Sequence, residues 1–266
     1  MNEQKINAPI PSATIILGRD RGDAIEMFMV KRNRRIDFAA GALVFPGGRV
    51  DVDDTAPGVI RRCGGAMNQC REPDPGFYVA AIREVYEESG ILLVREGGAA
   101  TIISPERLAG FEDKRRALCA GELKFSELLE NEDLYPACDR LTPFAHWITP
   151  EFMPKRFDTW FFVADAPDGQ VGSHDGSESV DSLWITPADV LTGASGGRFM
   201  VIFPTRMNIA KMARFCCLDE ARSYCLEHPA IPVLPRMEQR AGGPVLCIPA
   251  EADYGLTEES VANLGF

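Results

Sequence analysis

Between residues 83 and 91 the chain runs Arg83-Glu84-Val85-Tyr86-Glu87-Glu88-Ser89-Gly90-Ile91. Upstream, Asp74-Pro75 offers an N-cap acid followed by proline at the first helical position, and Gly90 offers a C-terminal stop. Tyr78, Ala81, Ile82, Val85 and Ser89 recur at helical spacing, so 75–89 is predicted to be an amphipathic helix. Glu84, Glu87 and Glu88 stand at i, i+3 and i+4 and share one stripe beside the apolar one, which places the acids at the border of the core. Three like charges within a turn repel, and more strongly when partly desolvated. A bound divalent cation removes that repulsion, and oxygen donors without histidine or cysteine suit Mg²⁺ or Mn²⁺. Taken alone, the same three glutamates also suit a solvated acidic face, because Glu is a strong helix former.

Outward from this helix, Ala13 to Leu17, Ile25 to Val30 and Leu43 to Phe45 read as strands, with a polar turn at Gly18–Asp23 and a stop at Pro46-Gly47-Gly48. Residues 51–76 carry no sustained periodicity and are expected to be a loop or insertion. Downstream, Ile91 to Val94 is predicted to be a strand and Pro105 to Glu130 largely helical. Phe144–Thr149 and Phe157–Ala164 suit a strand pair, and Val180 to Ile185 another strand. Helices are expected at Pro187 to Leu191 and across Thr205 to Glu227, with a strand-like run from Phe199 to Phe203. Four prolines, 232, 235, 244 and 249, favour extended chain near the end.

Composition bounds the function classes. The 266 residues are 45% hydrophobic and 25% charged, as in an ordinary globular chain. Lys+Arg 28 against Asp+Glu 39 leaves a net charge of -11, which disfavours phosphate backbones and anionic lipid as general partners. The first residues contain no apolar leader-like core, and no apolar run approaches the roughly 20 residues of a membrane-spanning helix. Eight cysteines follow no compact disulfide framework, so reduced thiols and a cytoplasmic location are expected.

The stretch resembles the Nudix hydrolase box, G-x5-E-x7-R-E-U-x-E-E-x-G-U with U a bulky apolar residue. Arg83-Glu84-Val85-x-Glu87-Glu88-x-Gly90-Ile91 matches every specified position of its second half, and Phe45-Pro46-Gly47-Gly48 matches the segment that leads into it. Asp54 stands where the pattern has glutamate, and 28 residues separate it from Arg83, 21 more than the pattern's seven. A split box of this kind is similar to the subfamily that includes organellar coenzyme A diphosphatases. His146–Pro150, Arg156–Thr159 and Leu183–Pro187 are similar to that subfamily's later strands.

The resemblance implies an α/β fold, a Nudix α/β/α sandwich with a mixed sheet. It implies a Nudix domain over 10–215 with an insertion at about 55–75, and a mostly helical C-terminal extension, 216–266, packed on the core. It implies hydrolysis of a diphosphate linked to another group, with Mg²⁺ or Mn²⁺ held by Glu84, Glu87, Glu88 and the carbonyl of Gly47, and Arg83 positioning the acids. Glu178, before the strand at 180, is the candidate general base, although an ordinary loop acid would look the same. Arg32, Arg34 and Arg35 form a basic run close to Gly48 that suits substrate phosphate, or equally a solvated turn. The coenzyme A signature places a serine and an arginine before G-x3-FPGG; here Asn33 and Asp37 stand there, while Gly41 is kept.

Coenzyme A or an acyl-coenzyme A is thus the favoured small-molecule substrate, ADP-ribose or NADH the alternative. A ligand-binding regulator without turnover is the rival of another class. Neither nucleic acid nor membrane is expected as a partner, and a homodimer is left open. Gly193-Ala194-Ser195-Gly196-Gly197 fits G-x-S-x-G, but a helix precedes it instead of the strand a nucleophile elbow requires. The three histidines, 146, 174 and 228, have no zinc spacing.

Overall fold

A computed structural model describes residues 7–33, 41–64, 72–97, 99–173 and 179–264. Its main sheet is built from β1 (Ile10–Arg21), β2 (Ala24–Arg32), β3 (Leu43–Val44) and β4 (Gly47–Arg49), before the insertion helix α1 (Pro57–Cys63) and the box helix α2 (Pro75–Ser89). A subsidiary layer follows: β5 (Val94–Glu96), α3 (Pro105–Ala109), α4 (Glu112–Cys119), α5 (Phe125–Asn131) and β6 (Leu134–Pro136). The chain re-enters the sheet with β7 (Thr142–Ile148), β8 (Phe157–Asp165) and β9 (Ser179–Ile185). Then come α6 (Pro187–Ser195), α7 (Phe203–Met212) and α8 (Leu218–Glu227), and finally β10 (Pro232–Val233), β11 (Arg236–Arg240), β12 (Gly243–Cys247) and β13 (Glu258–Ser260).

The main sheet has the order β10-β7-β8-β1-β2-β3, with β4 also on β1 and β9 also on β2. It is mixed: β1 runs parallel to β8 and antiparallel to β2 and β4. Strand β1 is shared along its length, pairing with β4 through Ser12–Thr14 and with β2 through Gly18–Arg21. Its side chains alternate between two cores. Ala13, Ile15 and Leu17 pack with Phe28, Val30, Phe162 and the apolar side of α2, whereas Ile16 packs with Met27, Met29, Phe161, Val163 and residues of α7 and α8. Period-2 burial on both faces is what a central strand between helical layers requires. The expected α/β/α sandwich is therefore present.

Helix α2 has the predicted limits. The Asp74 carboxylate accepts from Gly76 N at 3.0 Å, Pro75 is the first helical residue, and Gly90 closes the helix at φ 75, its N–H bonded to Tyr86 O at 2.8 Å. Elsewhere the structure departs from expectation. The polar stretch Gly18–Arg21 stays in β1, because Arg19 and Arg21 both bind Glu26 across the hairpin, and the turn shrinks to Gly22-Asp23. The aperiodic 51–76 segment contains helix α1, which buries Val59 and Cys63, while Asp53 accepts from Ser126 N and Oγ at 2.9 and 2.6 Å. Residues 91–93 are not a strand, and only Val94–Glu96 pairs. The Gln170 side chain takes Leu92 N at 2.9 Å and Ile103 O at 3.2 Å instead.

The long helix expected across Thr205–Glu227 is two helices. The break at 213–217 lets Asp20 Oδ1 accept from Leu218 N at 2.9 Å. Residues 199–202 form no strand; they lead into α7. The C-terminal region adds helices to the second face, and also a three-stranded meander, β11-β12-β13, that periodicity did not disclose. Tyr254 ties this tail to the core, accepting from Trp147 Nε1 at 2.8 Å and donating to Asn208 Oδ1 at 2.7 Å. Among the described residues no helix is long and apolar enough to cross a membrane.

Gln170 is 7% exposed and stands in for a missing strand neighbour of the segment that follows the box helix. Gln170→Ala leaves Leu92 N and Ile103 O buried without partners, and is expected to cost about 2–4 kcal/mol in urea unfolding. A loss within about 0.5 kcal/mol would show that water replaces the side chain.

Candidate active site

The last two turns of α2 face the loop that leads through Gly47 into β4. Gly47 and Gly48 pair with Thr14 and Ala13 of β1, which holds their backbone against the helix. Gly47 excludes a side chain against the β1 backbone, and one on Gly48 would displace the Glu84 carboxylate. A Cβ on Gly48 would lie 2.5 Å from Glu84 Cδ and 2.6 Å from Oε2, and one on Gly47 would lie 2.5 Å from Ala13 O. The two glycines thus make a cradle in which the Glu84 carboxylate rests against backbone. On the next turn Glu88, 6% exposed, accepts from Gly47 N at 3.3 Å through Oε2.

Arg83 holds the acids together. Its Nε and one terminal nitrogen donate to the two oxygens of Asp54, each at 2.9 Å, and the latter nitrogen also reaches Arg49 O at 2.8 Å. The other terminal nitrogen donates to Glu84 Oε1 at 2.8 Å and Glu87 Oε1 at 3.3 Å. Asp54 is fully buried and also accepts from Asp51 N at 2.8 Å. The aspartate that departs from the family's glutamate is thus the fork-to-fork partner of Arg83. A one-turn helix at Asp53–Thr55 carries it inward, so the shorter side chain reaches. Sequence reading registered Asp54 as a departure and missed its role. The signal was its position, the sixth residue after Gly48, with an acid retained there.

Three carboxylates, those of Asp54, Glu84 and Glu87, share one guanidinium, and Glu88 lies on the same helix, so negative charge is in excess. Burial alone works against the charge on Arg83, but the Asp54 hydrogen bond and the Glu84 and Glu87 charges more than offset it and hold the guanidinium firmly protonated. Burial raises Asp54 above the ordinary aspartate value despite its pair. Burial likewise pushes Glu84 up to about 7, with Arg83 pulling it down and Glu87 adding to the rise.

Glu84 and Glu87 share one Arg83 nitrogen while Glu88 holds Gly47 N; the three offer oxygen donors only, but as they stand their oxygens do not all lie within 4.8 Å of one another. Their donor type fits a hard divalent cation, and the Gly48 cradle places one of the carboxylates against the backbone that would share it. Of the other predicted site residues, Arg32 ends β2 partly buried, with its Nε hydrogen left without a partner, and its own N–H bonds Ala42 O at 3.0 Å. Arg34, Arg35 and Glu178 lie outside the described residues. Their flanks are placed: Ser173 N bonds Ser89 O at 2.8 Å at the end of α2, and Ser179 is registered opposite Arg32. Ser195, of the G-x-S-x-G stretch, ends helix α6 and donates to Leu191 O, so it forms no nucleophile elbow.

Residues 66–212 match the family profile described as the NUDT19 Nudix domain, more than half of the chain. The chain belongs to this family of Nudix hydrolases. Its domain is that of a Nudix-type diphosphatase. The match begins downstream of Gly48 and Asp54, so the placement of those two residues rests on the contacts above. Among curated relatives, putative nudix hydrolase 7 of Caenorhabditis elegans is 24% identical over 230 residues, 86% of this chain and 69% of that one. The acyl-coenzyme A diphosphatase NUDT19 of Gallus gallus is 25% identical over 243 residues, 75% of this chain and 64% of that one. The human protein of the same name is 25% identical over 205 residues, and the chain spans 54% of its length. The crystal structure of a NUDIX hydrolase from Alicyclobacillus acidocaldarius superposes with a TM-score of 0.69 at 27% identity, over 82% of this chain and 97% of that one.

Two outcomes follow from the arginine network. Asp54→Ala removes the bidentate partner of Arg83 and leaves it only Glu84 and Glu87, and is expected to destabilise by about 2–4 kcal/mol, measured by chemical denaturation; a loss under about 1 kcal/mol would mean that the pair holds nothing in place. The second concerns pH in the presence of a chelator. Glu84 has a folded-state value above its ordinary one, so its favourable contribution is complete below about 4.5 and is lost as pH rises through about 7. Glu84→Gln mimics the protonated form. Its melting temperature relative to wild type should therefore climb between pH 5 and pH 8, by on the order of a few degrees. A difference that is flat with pH would contradict the raised value.

Proposed function

We propose that this protein hydrolyses the diphosphate bond of coenzyme A or an acyl-coenzyme A, with Mg²⁺ or Mn²⁺ held by Glu84, Glu87, Glu88 and the Gly47 carbonyl. The observation that carries the proposal is the Gly48–Glu84–Arg83–Asp54 arrangement, in which a buried arginine and a side-chain-free cradle fix carboxylates that exceed their counter-charge. The substrate follows from likeness to relatives named acyl-coenzyme A diphosphatases. A divalent cation bound there would neutralise phosphate charge and lower the pKa of an attacking water. Arg83 is a positioning residue: it orients Glu84 and Glu87 and is itself oriented by Asp54. Glu88, hydrogen-bonded to Gly47 N, keeps the glycine loop registered to the helix.

Glu178 is the proposed acceptor of the water's proton. Support comes from its flanks, bonded to the end of α2 on one side and registered with Arg32 on the other. Arg32, partly buried with an unpartnered Nε, is the proposed first contact for substrate phosphate in a chain whose overall charge of -11 would otherwise repel it. Arg34 and Arg35 share that role in the proposal. A cytoplasmic location belongs to it too, on the ground that eight cysteines follow no disulfide framework. A second substrate reading, ADP-ribose or NADH, is favoured by Asn33 and Asp37, which stand where the coenzyme A signature has serine and arginine. A regulator without turnover is disfavoured by the retention of all three box glutamates, two of them on Arg83 and Glu88 on Gly47 N.

A panel of coenzyme A, an acyl-coenzyme A, ADP-ribose, NADH and a diadenosine polyphosphate, with Mg²⁺ or Mn²⁺, separates these readings. Release of 4′-phosphopantetheine from coenzyme A is expected. Glu88→Gln should lower that release by about tenfold to a hundredfold or more with its melting transition kept. Cleavage of ADP-ribose or NADH alone would replace the substrate while keeping the chemistry. Absence of turnover, with ligands still raising the melting temperature, would make the protein a binding module.

A further inference from the structure

Away from the hydrolytic site, the turn between α7 and α8 carries a second group of ligand atoms. Among the described residues, Cys216, Cys217 and Glu220 form the one group of three histidine, cysteine or acidic side chains whose ligand atoms all lie within 4.8 Å of one another. Cys216 Sγ is 3.1 Å from Glu220 Oε2, and Cys216 N donates to the same oxygen at 2.8 Å, so the carboxylate is aimed at the thiol by the backbone. A tetrahedral zinc ion with thiolate and carboxylate ligands holds sulfur atoms about 3.8 Å apart and sulfur and oxygen about 3.6 Å apart, given bond lengths of about 2.3 and 2.1 Å. The Cys216–Glu220 separation of 3.1 Å needs a shift of about half an ångström to meet those values, and the other two, each within 4.8 Å, need at most about 1.2 Å.

The turn is held from outside the cluster. Leu218, which follows Cys217, is buried and donates its N–H to Asp20 Oδ1 at 2.9 Å. Its side chain lies over Gly18, where an added Cβ would stand 2.6 Å from Leu218 Cδ2. The glycine therefore lets the first turn of α8 sit directly on β1. One turn further along, the rings of Phe215 and Tyr224 pack at 5.3 Å. Cys216 and Glu220 are exposed and Cys217 is half-buried, so an ion can reach all three and keep a water as its fourth ligand.

We propose that Cys216, Cys217 and Glu220 form a binding site for a soft or borderline divalent cation of the zinc class, separate from the hydrolytic site. The two sites differ in both place and chemistry. Gly47 pairs with Thr14 of β1, whereas Asp20, which anchors the cysteine turn, lies six residues further along the same strand, about 20 Å away. Two thiolates select zinc-like ions, while the oxygen-only set of the box glutamates selects magnesium-like ones. Binding is written as proton displacement: each thiol gives up its proton to solvent as a sulfur–metal bond forms, and no oxidant or reductant takes part. The bound ion would pin the α7–α8 turn, which already ties the second helical layer to β1, and so acts on stability and not on the reaction.

The test uses the full-length protein with reduced thiols and saturating Mg²⁺, titrated with Co²⁺ as a spectroscopic substitute and with Zn²⁺ against a chromophoric chelator. One equivalent of Co²⁺ giving a sulfur-to-cobalt charge-transfer band, displaced by Zn²⁺, is expected. The band should be absent in Cys216→Ser and Cys217→Ser, and affinity weaker by at least about tenfold in Glu220→Gln. It should be unchanged in Cys119→Ser, which removes another exposed thiol. Zn²⁺ should raise the melting temperature of wild type but not of Cys217→Ser. No charge-transfer band with thiols shown to be reduced, or a band that survives Cys216→Ser combined with Cys217→Ser, overturns the site. Because Mg²⁺ occupies the oxygen ligands throughout, neither result bears on the proposed hydrolysis.

Discussion

One buried guanidinium organises this protein. Arg83 is 9% exposed and uses all of its nitrogens: two on Asp54, one of these also on Arg49 O, and the third on Glu84 and Glu87. Each partner comes from a different segment, namely the turn after β4, the β4 backbone and the box helix itself. A charge taken this far from water is tolerable only if it is paired and hydrogen-bonded on every side. The requirement works in both directions. The helix cannot shift along its axis without breaking the Asp54 fork, and the 51–55 turn cannot swing out without leaving two of the guanidinium's buried nitrogens without their carboxylate.

That constraint explains how a long insertion sits inside a catalytic motif without loosening it. The residues between Asp54 and Arg83 begin and end on the same ion pair, and the first part of the insertion is itself anchored. Asp53 binds the start of α5 and Arg62 meets Asp133 at 3.2 Å. The box helix is held independently by its Asp74 cap and by the apolar side that carries Tyr78, Ile82 and Val85 into the first core. The motif is split in sequence yet closed in space, because the arginine recognises the aspartate by geometry and not by spacing.

The glycine loop supplies the other half of the site by what it lacks. Glu84 lies where a side chain on Gly48 would be, and Gly47 lies close enough to β1 that its own side chain has no room. The Glu84 carboxylate thereby lies against backbone in a partly dry setting, and that burial pushes it up to about 7.

The limits of α2, its N-cap and its glycine stop were legible in local sequence, because capping and helical periodicity are near-neighbour effects. So were the central strands, whose alternation is intrinsic to a two-sided core, and the placing of Glu84, Glu87 and Glu88 on one helix, which their spacing dictates. Helix α1 was not legible, since its seven residues owe their form to packing against α5 and β6. Nor was the loss of a strand at 91–93, which a side chain 78 residues away decides by taking the Leu92 backbone. The role of Asp54 belongs to the same class: nothing local says that an aspartate will do where a glutamate is usual. Sequence by itself determined the family, the chemistry of the donors and the helix that presents them, through interactions within a few residues. Tertiary structure alone decided which acid balances Arg83 and why a side chain on Gly48 would displace the Glu84 carboxylate, because each depends on the distance between separate segments.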